Sequence, residues 1–85
     1  MRDQQLEWIA NPNEARQWAK GRIAYAGEGN HRGVQAISEA RLKLKERFYS
    51  NGLWSNDGAK PVFDLLSDAQ DEAQEAYEAA MPGME

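Results

Sequence analysis

Turn punctuation constrains this chain more than any other feature. Asn11-Pro12, Gly27-Glu28-Gly29-Asn30, Asn51-Gly52, Asp57-Gly58 and Pro82-Gly83 cut it into short stretches. Between these breaks, apolar residues recur with the 3.6-residue period of a helix. The segment 12–26 shows this best. Asn11 can cap a helix, Pro12 suits a first turn where its missing N–H costs nothing, and Glu14 can reach back to the cap. Ala15, Trp18, Ala19, Ile23 and Ala26 then mark one face, and Gly27 and Gly29 end it. Gly21 inside that segment costs about 1 kcal/mol relative to alanine, unless it marks a close helix contact. Residues 3–10 read as a shorter amphipathic helix with Leu6 and Ile9 inward; Trp8 lies off that stripe but is expected to pack against the bundle, and Trp18 to belong to the core.

The connection from Gly27 to Asn30 is short enough to return the next helix antiparallel to the one before it. That helix is predicted over 31–50, capped by Asn30, with Val34, Ile37, Leu44 and Phe48 on its stripe. Ala36 and Ala40 widen the stripe, and Arg41 falls inside it. Gly52 suits the left-handed position after a helix end, and residues 53–60 then read as a loop. A β-hairpin over Arg47–Ser55, turning at Asn51-Gly52, is the rival reading; the helical stripe running through Phe48 favours the loop. The last helix is predicted over 61–80, followed by a frayed tail at 82–85. The expected fold is therefore all-α, one small antiparallel three-helix bundle over residues 1–85 with a short additional N-terminal helix. With 85 residues and no cysteine, its thin, alanine-rich core has no disulfide to reinforce it and would gain from a partner or self-association.

Composition narrows the chemistry. Ten Lys and Arg stand against fourteen Asp and Glu, so the chain as a whole carries no basic nucleic-acid footprint. The lack of cysteine removes thiol nucleophiles and thiolate zinc sites. The single histidine, His31, sits beside Arg32 at a helix start and reads as solvated, and Ser38, Ser50, Ser55 and Ser67 stand in no nucleophile motif. No catalytic residue, metal site or cofactor is expected, and the chain is not read as an enzyme. No apolar run approaches the length of a signal sequence or a membrane span, so a cytoplasmic location without a membrane partner is the default expectation.

Charge is segregated. From Met1 to Lys60, ten bases and seven acids leave a net of +3; from Pro61 to Glu85, seven acids and no base leave −7. Asp64, Asp68, Asp71, Glu75 and Glu78 recur at i, i+4, i+7, i+11 and i+14, which places all five on one face of the last helix. A solvated face explains such a row. So does a negative surface matched to a basic one on another protein, where it would speed association. Asp68, Asp71 and Glu72 could also meet a hard cation, but a helix face lacks the wrapping loop of a calcium site. Trp54, with Tyr49 close by, either plugs one end of the bundle or anchors a partner.

The expected function is a non-enzymatic protein-binding module. It would be an inhibitor or adaptor that docks its acidic helix face and Trp54 loop on a basic surface of a larger target, a nucleic-acid-binding protein being one such target. Compact acidic chains of this kind resemble, in size and character, the accessory inhibitors that phages encode against host defence or nucleic-acid machinery. Two alternatives stand beside it. One is a homodimer or assembly protein that buries its alanine-rich stripes between subunits. The other is a weak nucleic-acid binder using Arg41, Lys45 and Arg47 on the third helix.

Overall fold

A computed structural model describes residues 4–80. Its elements in chain order are α1 (Gln4–Ala10), α2 (Pro12–Gly27), α3 (Arg32–Phe48), β1 (Tyr49–Ser50), β2 (Leu53–Trp54) and α4 (Ala59–Ala80). The fold is all-α apart from that small hairpin. Helices α2, α3 and α4 form an up-down-up bundle, and α1 packs on α2 and on the start of α4. Pro12 and Pro61 line the same groove at one end, and Gly27 faces Ala76 at the other, so α2 and α4 run parallel. Arg41 reaches Ser67 while the ring of His31 meets Tyr77 edge to face, so α3 runs antiparallel to α4. The tail expected at 82–85 lies outside the described residues.

Local chemistry sets the helix ends. A single residue, Asn11, separates α1 from α2; its N–H donates to the Glu7 carbonyl at 2.9 Å and its carbonyl accepts from Glu14 N–H at 3.0 Å. The Asn11 side chain makes no capping bond, contrary to the expectation, and Pro12 fills the first-turn role. Gly29, at φ 91°, turns the chain out of α2 while its N–H donates to the Ala26 carbonyl. Asn30 Oδ1 then accepts the Arg32 N–H at 3.0 Å, capping α3. Asn56 does the same for α4: its Oδ1 accepts from Gly58 N–H at 2.8 Å and its carbonyl from Ala59 N–H at 3.0 Å. Helix α4 accordingly begins at Ala59, two residues before the expected start, with Pro61 still within its first turn.

Two expectations need correction here. Helix α3 stops at Phe48 instead of running to 50, and residues 49–54 form the hairpin that was the rival reading. Its strands pair Tyr49 with Trp54 and Ser50 with Leu53, and its turn residues Asn51 and Gly52 have φ of 52° and 79°. Positive φ at both central positions is the geometry that asparagine and glycine tolerate and that matches strand twist. The Phe48 carbonyl closes the hairpin, accepting from both the N–H and the Oγ of Ser55. In α1, Leu6 is exposed instead of inward and Ile9 is half-buried, while Trp8 is buried against the bundle as expected.

The core is small. Ile37, Leu44, Leu66 and Val62 are its largest fully buried side chains, packed with Ala15, Ala19, Ala26, Ala59 and Ala73. Alanines let the helices approach closely, and one glycine takes this further. A Cβ on Gly33 would run into the Arg22 carbonyl oxygen and lie 2.8 Å from the Ala26 nitrogen, so α2 and α3 touch backbone to backbone there. Gly21, read from the sequence as a candidate for such a contact, has nothing within 4 Å of its Cβ position.

Candidate protein-binding surface

Helix α4 divides into two opposed faces. Val62, Leu66, Ala69 and Ala73 are buried, while Asp64, Asp68, Asp71, Glu75 and Glu78 are all exposed. At about 100° per residue the five acids fall within an arc of about 80°, centred opposite the buried face, and the row is about 20 Å long. Lys60 pairs with Asp64 at 2.8 Å, both side chains being 57% exposed, so that ion pair is well hydrated and contributes little. Among the described residues, Asp68, Asp71, Glu75 and Glu78 make no ion pair. Like charges at these spacings repel by a few tenths of a kcal/mol each, and packing of the opposite face carries that cost.

Tyr49 and Trp54 meet in the hairpin. Their rings lie 5.1 Å apart edge to face, and Trp54 also rests on Phe63 at 5.2 Å. The half-buried Trp54 thus clamps the hairpin onto the first turns of α4, next to Asp64, where the acidic row begins. Period-2 alternation across the pair turns Leu53 outward instead, and it is 74% exposed, the most exposed large apolar side chain among the described residues. Sequence reasoning passed over Leu53 because the loop reading assigned it no direction. The Asn51-Gly52 dipeptide was the signal that could have found it.

The three bases of the nucleic-acid alternative each lie over an aromatic ring. Arg41 is 5.4 Å from the Phe63 centroid, Lys45 5.2 Å from Tyr49 and Arg47 5.6 Å from Phe48. Arg41 is partly buried and donates from Nη1 to Ser67 Oγ at 3.4 Å, while its Nε is buried with no partner. Gln70 Oε1 on α4 is a second buried atom in that condition. An unmade buried bond costs about 1–3 kcal/mol, against a contribution of about 1 kcal/mol from a partly desolvated cation over a ring. Arg41→Met, which keeps the length and drops the polar atoms, should therefore raise unfolding stability by about 1 kcal/mol. A urea titration compared with the parent chain checks this; a loss of more than that amount would mean the guanidinium holds α3 to α4.

Among the described residues no group of three or more His, Asp or Glu side chains converges to hold a metal ion, Asp68, Asp71 and Glu72 included. No described helix is long and apolar enough to cross a membrane. Comparison with protein-family models, curated proteins and solved structures gives no match to this chain.

Proposed function

We propose that this chain is a protein-binding module that covers a basic surface on a larger protein with the exposed row of carboxylates on α4, acting as an inhibitor or adaptor. One observation carries the reading: Asp68, Asp71, Glu75 and Glu78 point away from the bundle without an ion pair among the described residues. With its backbone already ordered by packing, the row gives up only side-chain freedom on docking, and a single-sign row steers a cationic partner in from a distance. The hairpin adds an apolar element next to the row, with Leu53 outward and Trp54 and Tyr49 beneath it.

Reversing Asp71, Glu75 and Glu78 to lysine tests this, since all three are exposed and away from the core. Immobilised parent chain should retain a basic protein from a cell extract at low salt and release it steeply as salt rises. The reversed variant, with unchanged circular dichroism, should lose about 2–4 kcal/mol of that affinity, a factor of 30 or more. Equal retention by both chains would remove the row as the contact.

A further inference from the structure

A groove of about 620 Å³ runs between α2 and α4 on the outside of the bundle, and its two walls carry opposite charge. Its floor is apolar, made by Ala19, Ile23, Leu65 and Ala69. Arg16 and Lys20 form the α2 wall; Asp64, Asp68 and Glu72 form the α4 wall. Among the described residues, Arg16, Lys20, Asp68 and Glu72 make no ion pair across the groove. Towards the far end only small residues remain on this flank, Ala24 and Gly27 on α2 and Ala76 and Ala79 on α4.

We infer that this groove is the interface of a symmetric homodimer. The argument is one of register. Because α2 and α4 run parallel with Pro12 level with Pro61 and Gly27 level with Ala76, Arg16 stands at the height of Asp64 and Asp68, and Lys20 at the height of Asp68 and Glu72. A two-fold axis parallel to the helices, above the centre of the groove, lays each copy's α2 over the other's α4 with no shift along the axis. Every base then faces an acid, twice over, which is the self-complementarity an isologous contact requires. A two-fold axis across the helices would instead set base on base and acid on acid, so charge selects the first arrangement. Two helices of this length present a face about 24 Å by about 20 Å. That is about 500 Å² before side-chain relief is counted, of the same order as the roughly 800 Å² per partner of a standard interface. Asp71 and Glu78 sit on the far side of the acidic row, so the dimer leaves them open to a third molecule.

Sedimentation of the full chain over a concentration series tests the inference. The parent chain should shift from monomer to dimer below about 1 mM. Arg16→Glu with Lys20→Glu in one chain, and Asp68→Lys with Glu72→Lys in another, should each weaken dimerisation by about a hundredfold through like-charge contact. Mixing the two variants should restore a heterodimer, because both of its contacts become complementary; that restoration also shows both variants to be folded. A parent chain that stays monomeric throughout would overturn the proposal. So would charge variants that dimerise like the parent, or a mixture that does not recover. Asp68 belongs to both surfaces, but sedimentation is run on the purified chain alone and the Arg16→Glu, Lys20→Glu variant keeps the whole acidic row, so the outcome is independent of whether that row binds a cationic protein.

Discussion

Gly33→Ala should be among the most damaging single substitutions in this molecule. The new methyl would run into the Arg22 carbonyl oxygen and lie 2.8 Å from the Ala26 nitrogen, and neither can rotate away because both belong to the α2 backbone. Helix propensity pulls the other way, since alanine is favoured over glycine inside a helix by about 1 kcal/mol. The clash wins. Helices α2 and α3 must separate by the better part of an ångström, which unpacks Val34, Ile37 and Ala26 on either side of the contact. Overpacking against rigid neighbours costs about 1–3 kcal/mol and occasionally more; with both contacts on backbone, a net loss of about 3 kcal/mol is expected. In a domain this small that lowers the melting temperature by about 12–24 °C, readable by thermal circular dichroism. Gly58→Ala is the contrasting control. Its methyl would meet Ile9 Cγ2 at 2.8 Å and Asn56 Oδ1 at 3.2 Å, side-chain atoms instead of helix backbone, so relief needs only a local shift of Ile9 and of the α4 cap and should cost less than Gly33→Ala. If the two substitutions behave alike, close backbone approach is not what holds α2 to α3.

Trp8→Ala is expected to cost about 3–5 kcal/mol, the range for deleting a buried aromatic. Trp8 is 3% exposed and its ring lies 5.0 Å from that of Trp18 on α2. A seven-residue helix such as α1 cannot persist alone in water, so its order depends on that side chain. Two outcomes compete. If α1 belongs to the same cooperative unit as the bundle, the whole transition moves to lower denaturant. If α1 comes away by itself, its amides lose hydrogen-exchange protection while those of Ile37, Leu44 and Leu66 keep theirs. Because Ile9 packs against Gly58 at the start of α4, the first outcome is the expected one. A variant that melts within 1 °C of the parent with full protection in α1 would show that burial of Trp8 is not what docks it.

The long helices were legible because their signals are local. Pro12, Asn30 and Gly29 mark helix ends through the backbone groups of their immediate neighbours, and the alanine and leucine stripes repeat often enough to define a face. The acidic row was legible for the same reason: spacing along one helix fixes which side chains share an arc. Helix α1 has too few turns for its pattern to choose between Leu6 and Trp8, and the choice falls to the ring of Trp18, a tertiary partner. At Phe48 two local signals overlap, since the residue completes the helical stripe and its carbonyl also closes the hairpin. The stripe ends where the Asn51-Gly52 turn takes over. The α2–α4 groove was the least legible feature. It depends on the register between two segments nearly fifty residues apart, and neither segment alone records that register.

Helix α4 runs against its own dipole. Its first turn contains Lys60 and no acid, and its last turn has no base, whereas a helix gains from negative charge at its start and positive charge at its end. Glu75 and Glu78 therefore lie towards the pole that already repels them. The far half of the rod is kept helical by its alanines, glutamines and glutamates and by its packed face, against that pole and the mutual repulsion of its acids, and it is the stretch where an arriving cation would relieve the most repulsion.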